Sequence, residues 1–344
     1  MSRVSRLLNL EYPIVQGPFG GGLSRVALAA AVSEAGGLGS YGMHHLGPAE
    51  IRATAERLHA ATSRPFALNL WVSTHDLPEP EMTRERFDAA VRRLQPLYDE
   101  AGAAPPPYPE RFGWDFERQA EAVLAARPAA FSFVFGVPDE RILAAFRDAG
   151  IVTLGTATTP DEAVALDRAG VDIIVASGAE AGGHRGAFLA EAEASLVGTL
   201  PLVRIAVSEV GAPVIAAGGI ADAKGIAAAL ALGAEGVQIG TAFLATDESG
   251  ARDEHKAALR AGARRTTLTR AFSGRLARGI PNRLTETDAF EPYPYQSHLL
   301  APLARTEFAA MWCGQGAPLV AHRSAAALFA ALTEAFITTE STVS

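Results

Sequence analysis

A histidine in a glycine-rich segment is the residue best placed to do chemistry. The segment GAEAGGHRG runs from Gly178 to Gly186 and directly follows the apolar run VDIIVAS, which begins at Val171. Such a position exposes His184 to a cavity, where an imidazole titrates near neutral pH and suits a general base. A lone histidine is more often a satisfied structural residue, but this placement favours a catalytic role.

Two further apolar runs end in small residues that suit an anion. Ala217, Gly218 and Gly219 close the run PVIAAGG, and Gly240 and Thr241 close GVQIGTAF. Glycine lets main-chain amides approach an anion closely, and the start of the next helix adds a favourable field. Either turn alone could be only a tight connection. Together they predict a phosphate site.

Polar side chains near other run ends are open to two interpretations. Gln16, Asn69 and Gln238 could bind a ligand through their amides or could be satisfied residues inside the fold. His44 and His45 could point into the pocket or only mark the entry to a helix. Adjacent side chains tend to face different ways, and the other histidines lack ligand spacing, so we expect no metal.

The elements that must position these residues are short apolar runs, each followed by an Ala- and Leu-rich stretch of helical periodicity. This alternation predicts a parallel sheet covered by helices, and eight units favour closure into a (β/α)8 TIM barrel, in the α/β class. An open, doubly wound sheet is the alternative. The runs begin at Pro13, Gly37, Phe66, Ala130, Ile151, Val171, Pro213 and Gly236.

Two segments exceed the minimal repeat. Residues 73–115 include the proline-rich APPPYP and predict an extended loop plus a helix after the third strand. Residues 264–312 follow the eighth strand and predict a lid-like insertion, before a last helix around Ala317 to Ile337. The predicted division is a barrel over 1–263, a lid subdomain over 264–312, and a C-terminal helix within 313–344 that returns to the barrel.

Composition excludes several classes of function. The 344 residues carry a net charge of −8 without a dense basic run, which argues against nucleic-acid binding. No apolar stretch reaches the length of a membrane span or a signal peptide, and Cys313 is the only cysteine, so we expect a cytoplasmic protein. The only lysines, Lys224 and Lys256, do not end a strand, which disfavours a Schiff-base lyase.

Six motifs in this order resemble those of the nitronate monooxygenases, formerly called 2-nitropropane dioxygenases: PIVQGPFGGG, NLW, SGAEAGGHRG, VIAAGGI, QIGTAF and TRAFSGRLARGIPN. The resemblance covers nearly the whole chain and implies an FMN-dependent (β/α)8 barrel. It implies that His184 is the catalytic base and that Asn69 contacts the flavin. Many members have Gln where this chain has Ser177. The cofactor-binding residues expected here are Gln16, Gly17, Pro18, Asn69, Ser177, Gly182, Gly183, Ala217, Gly218, Gly219, Gln238, Gly240 and Thr241.

The resemblance also implies the reaction and its rivals. An alkyl nitronate, the anion of a small carbon acid such as a nitroalkane, would be oxidised with dioxygen to a carbonyl compound and nitrite. An NAD(P)H:quinone reductase or an enoyl-acyl-carrier-protein reductase is the alternative within the same fold. A flavin-free phosphate-binding barrel, either a lyase, an isomerase or a binding protein, is the alternative from another class. The sequence leaves the oligomeric state open, with a homodimer as one alternative.

Overall fold

Eight parallel strands form the barrel sheet of the computed structural model, which describes residues 1–72 and 81–340, with side chains up to Phe336. Each strand lies within or beside one of the eight predicted runs, so this prediction is confirmed. The strands are β1 (Ile14–Gln16), β2 (Gly39–Gly42), β3 (Phe66–Trp71), β4 (Ala130–Val134), β5 (Val152–Ala157), β6 (Ile173–Ser177), β8 (Val214–Ala217) and β9 (Gly236–Ile239).

The sheet order shows a barrel and not an open sheet. The order is β1-β9-β8-β6-β5-β4-β3-β2, and a parallel bridge between Val15 and Leu38 joins the two outer strands. The amide of Gln16 donates to the carbonyl of Leu38 at 2.9 Å across this join. All eight strands therefore point the same way, and their carboxyl ends meet at one rim.

Helices follow the strands with ordinary start and stop signals. Thr159 and Asp222 accept main-chain amides at the starts of their helices, and Gly150 and Gly170 end two others in the left-handed region. The helices are α1 (Arg3–Leu8), α2 (Val26–Glu34), α3 (Pro48–Ala61), α4 (Arg84–Glu100), α5 (Phe116–Ala126), α6 (Glu140–Asp148), α7 (Pro160–Arg168), α8 (Thr199–Glu209), α9 (Ala223–Ala231), α10 (Thr241–Leu244), α11 (Asp253–Arg260), α12 (Tyr295–Leu300) and α13 (Ala325–Glu340), with 3-10 turns at Arg283–Glu286, Ala301–Leu303 and Ala317–Leu319.

Two apolar clusters stabilise the barrel. The larger one lies between the strands and the surrounding helices. The other fills the barrel interior, where Val4, Leu8 and Leu10 from and after α1 pack against inward-facing residues such as Leu154 and Ile215. Helix α1 therefore closes the end of the barrel at which the strands begin.

The two predicted insertions pack against each other. Three short strands, β7 (Gly183–His184), β10 (Thr267–Thr269) and β11 (Ala277–Gly279), form a second, antiparallel sheet. Helix α4, from the insertion after β3, shares an apolar cluster with α12, and the Tyr98 hydroxyl donates to the Leu299 carbonyl at 2.7 Å. Residues 73–80 of the predicted loop lie outside the described residues. The three-part division of the chain stays a prediction.

The last helix begins later than the sequence predicts. It starts at Ala325 and not near Ala317, because Val320 is extended and the carbonyl of Arg323 accepts the amide of Asp247 at 2.7 Å. This contact ties residues 320–324 to the loop after β9. Among helices of the described residues, none is long and apolar enough to cross a membrane.

Candidate active site

A cavity of about 860 Å³ opens at the rim where the barrel strands end. This is the size of an ordinary cofactor or ligand pocket, and it lies where barrels of this fold carry their active sites. Of the predicted site residues, all but one line it: Gly17, Pro18, Asn69, Ser177, Gly182, Gly183, His184, Ala217, Gly218, Gly219, Gln238, Gly240 and Thr241.

Gln16 is the residue that the structure does not bring to the cavity. Its side chain is fully buried, its Nε2 donates to the carbonyl of Gly17, and its Oε1 accepts the amide of Ser40 at 2.9 Å. Both ends of the amide are therefore used by the main chain. Gln16 joins β1 to β2 and supports the turn that carries Gly17.

His184 lies on a strand, whereas the sequence suggested a loop. Strand β7 pairs with β11, and His184 is opposite Ala277. The segment after the eighth barrel strand supplies this partner, so the position of His184 depends on chain almost a hundred residues away. Its Nε2 lies 2.8 Å from the hydroxyl of the buried Ser273, in the turn between β10 and β11.

The surroundings of His184 keep its imidazole neutral. The ring is half-buried, with its centroid 4.9 Å from both the Trp71 and the Trp312 ring centroids. Burial lowers the pKa of His184 to about 4 because a cation there loses its water. At neutral pH the ring is therefore uncharged and can accept a proton.

Arg185 holds the main chain around His184. Its guanidinium donates to the carbonyls of Thr158 and Ser177 at 2.8 and 2.6 Å, and to the hydroxyl of Ser195 at 3.0 Å. Burial lowers the pKa of Arg185 to about 10, so it stays charged at neutral pH. One side chain thus fixes the loops that follow β5 and β6.

The glycine turns after β8 and β9 present unused donors to the cavity. Within residues 1–72 and 81–340, the amides of Gly218, Gly219 and Gly240 donate no hydrogen bond. Gly218 has a φ of 109°, and a Cβ there would lie 2.8 Å from the Thr199 hydroxyl, so only glycine fits. Free amides at such a turn can bind the oxygens of a phosphate.

Four further predicted residues line the cavity at or beside the ends of barrel strands. Asn69 is buried, and its Nδ2 donates to the hydroxyl of Ser132 at 2.9 Å. The hydroxyl of Thr241 accepts the amide of Gly314 at 2.9 Å, which brings the segment before the last helix to the cavity. Ser177 and Gln238 line the cavity at the ends of β6 and β9.

Sequence reasoning missed the aromatic wall beside His184. Trp71 lies two residues after Asn69 on β3, so strand alternation could have placed it on the same inward side. Trp312, Tyr293 and Phe272 come from the late insertion, which has no such pattern. Behind this wall, the Arg275 guanidinium lies 3.8 Å from the Phe135 ring centroid and 4.3 Å from that of Tyr293.

The charged side chains at the cavity are all basic. Arg25, Arg111, Arg252 and Arg305 line it, and no aspartate or glutamate of the described chain does. In a protein of net charge −8, this local excess favours anionic ligands. His44 and His45 also line the cavity, and no group of three metal-binding side chains occurs in the described residues.

Comparison with known proteins identifies the family of the chain. Residues 1–335 match the family model described as Nitronate monooxygenase. The chain belongs to the nitronate monooxygenase family. It is therefore an oxidoreductase of a flavin-dependent family, and the resemblance seen in its motifs is confirmed.

Similar proteins extend the match over the whole chain. A nitronate monooxygenase of Pseudomonas aeruginosa is 43% identical over 96% of this chain and 98% of its own length. One of Paraburkholderia phytofirmans is 40% identical, over 95% and 92%. Among solved structures, a nitroalkane oxidase from Streptomyces ansochromogenes has a TM-score of 0.86 at 36% identity, covering 99% of both chains. FabK from Thermotoga maritima has 0.76 at 26%, covering 100% of this chain and 98% of its own.

Proposed function

We propose that this protein binds FMN and oxidises alkyl nitronates with dioxygen, giving a carbonyl compound and nitrite. The observation that carries the proposal is one cavity that joins three features: neutral His184, glycine turns with unused amides, and a lining to which the described residues contribute no acidic side chain. A preference for anions suits the nitronate, a phosphate site suits FMN, and a base can ionise the neutral nitroalkane that gives the nitronate.

The residues present fit FMN. Its phosphate would be held by the amides of Gly218, Gly219 and Gly240, at the two loops that this fold uses for phosphate. A Cβ on Gly17 would lie 3.2 Å from the Cα of Gly240, so the turn after β1 leaves little room for a side chain. The bound flavin would supply electron acceptance and reaction with dioxygen.

The protein's own residues would bind and orient the substrate. Neutral His184, with Nε2 held by Ser273, can take the proton from the carbon beside a nitro group. A substrate that arrives already ionised would be attracted by the basic lining of the cavity. Because its pKa is about 4, His184 favours the role of base over that of a cation that neutralises the substrate.

Anaerobic mixing tests this function against the reductase alternatives. We expect a nitronate, such as that of nitroethane, to bleach the flavin rapidly, whereas NADH and NADPH bleach it slowly or not at all. Rapid bleaching by NADH or NADPH alone would instead assign the protein to the quinone or enoyl reductases.

The visible spectrum tests the flavin-free alternative. We expect a yellow protein that releases FMN on denaturation, as identified by mass. A colourless protein that does not take up added FMN would show a flavin-free barrel. The cytoplasmic location and the homodimer stay predictions from the sequence.

A further inference from the structure

His44 stacks on Trp71, the tryptophan beside the proposed base His184. The His44 and Trp71 ring centroids are 3.7 Å apart and the planes are tilted by only 10°. The same indole lies 4.9 Å from His184 and 5.3 Å from Tyr293. Trp71 is therefore the shared wall between His44 and the place where the proposed chemistry occurs.

The imidazole of His44 is held by close packing. A Cβ on Gly20 would lie 2.1 Å from its Cε1 and 3.0 Å from each of its nitrogens, so the ring fits only against a glycine. The buried side chain of Gln119 donates to the main-chain carbonyl of His44 at 2.9 Å. Both the ring and the main chain that carries it are thus fixed.

Hydrogen bonding through Nδ1 does not hold the ring in place. Its Nδ1 is buried and has no hydrogen-bond partner among the described residues. Burial, together with His45, His184 and Arg275, lowers the pKa of His44 well below its usual value, so the ring is neutral. What the protein uses here is the flat face of an uncharged ring, which packs on the indole as one aromatic on another.

We propose that His44 is a positioning residue that fixes the indole of Trp71. It thereby limits the size of the substrate substituent that the cavity accepts beside His184. The proposal rests on the proposed function, since it concerns the substrate of the same cavity. Without the stack, the indole keeps its contacts with Phe135 and Tyr293 but loses the ring that covers one of its faces. Its position beside His184 is then less fixed, and the cavity admits longer alkyl chains but orients short ones poorly.

The first test compares chain-length preference in FMN-loaded protein. Nitronates of nitroethane and of 1-nitrohexane serve as the short and long substrates. We expect His44→Ala to lower the preference for the short one, measured as a ratio of kcat/KM values, by about three- to tenfold, the range for loss of an aromatic pair. The KM for nitroethane nitronate should rise more than kcat falls.

Two variants separate positioning from general damage. His44→Phe keeps a flat ring without nitrogens, and we expect it to restore the preference to within about twofold of wild type. His59→Ala removes another histidine that contacts an aromatic residue of β3, since its ring centroid lies 4.8 Å from that of Phe66, outside the cavity. It should leave the preference unchanged. Unchanged preference in His44→Ala, or no rescue by phenylalanine, would overturn the proposal.

A second readout does not depend on turnover. In flavin-free protein, His44→Ala should shift the tryptophan emission towards longer wavelength, and the same change in a Trp71→Phe background should not. If wild type fails to oxidise nitronates but this shift occurs, the proposed function fails and the positioning role stands. If nitronates are oxidised and neither the preference nor the emission changes, the positioning role fails.

Discussion

The two ends of the barrel differ in their lining: one is closed by apolar side chains and the other opens into a cavity that polar side chains help to line. At the end where the strands begin, α1 and Leu10 close the interior with aliphatic side chains that exclude water. At the end where they finish, the same strands leave a cavity bordered by glycines, histidines and arginines. Stability and chemistry are thus assigned to different ends of one sheet, as is general for this fold.

Strand β3 shows the difference within six residues. It begins at Phe66, which His59 meets edge-on with planes at 66°, and ends at Trp71, on which His44 lies flat. The first pair is structural, because the Nε2 of His59 bonds the Ala126 carbonyl at 2.9 Å on the protein surface. The second pair borders His184. Phe66 faces the surrounding helices and Trp71 faces the barrel interior, so the face of the strand and the position along it decide what such a pair can do.

Removing one residue from each end of the barrel should have the largest and most different effects. With neutral nitroethane as the substrate, we expect His184→Ala to lower kcat by about 10²- to 10⁴-fold, the usual contribution of a general base, while the protein keeps its flavin and its stability. Leu8→Ala should lower the free energy of unfolding by about 2–5 kcal/mol and leave kcat unchanged at a temperature where it is folded. Normal turnover of nitroethane by His184→Ala would show that His184 is not the base.

The pH profile of the wild-type enzyme gives a second test of His184 as the base. Because burial places the pKa of His184 at about 4, the base is neutral and active throughout the range above it. The acid limb of kcat/KM should therefore lie well below pH 6.5. The same shift means that folding stability falls as pH drops from about 6.5 towards 4, since the unfolded histidine then binds the proton more readily.

A smaller effect is expected from two strained glycines. Gly218 and Gly150 both have positive φ, but Gly218 lines the cavity, whereas a Cβ on Gly150 would meet nothing within 4 Å. An alanine at Gly150 should cost roughly 1–2 kcal/mol of backbone strain. At Gly218 the close approach to the Thr199 hydroxyl adds to this cost, and the alanine should also weaken FMN binding by about tenfold or more. Equilibrium titration with FMN measures this. Equal affinity in the two variants would argue against a phosphate site at Gly218.

The barrel could be predicted from sequence because each of its parts is local. A buried strand, its glycine end and the following helix are signalled within about thirty residues, and eight repeats leave little choice of fold. The cavity residues at strand ends, such as Asn69 and Gly218, follow from the same pattern. Gln16 does not, because the pattern gives the end of the strand but not whether a neighbouring amide uses the side chain.

Apart from Trp71, the aromatic wall beside His184 could not be predicted, because it depends on distant parts of the chain. Ser273, Tyr293 and Trp312 reach the cavity only through the pairing of β11 with β7 and the packing of the late insertion. No spacing rule links such residues to Gly183–His184. The predicted start of the last helix, near Ala317, was wrong for a related reason. A long-range contact between Asp247 and Arg323 holds the chain before Ala325 outside the helix.

The most direct test of the account is a single aerobic assay of FMN-loaded wild-type protein supplied with nitroethane nitronate, in which oxygen uptake and nitrite are measured together. We expect nitrite to be released as oxygen is consumed, and nitrite release to cease when oxygen is removed. Protein that holds its flavin yet consumes no oxygen and releases no nitrite would contradict it.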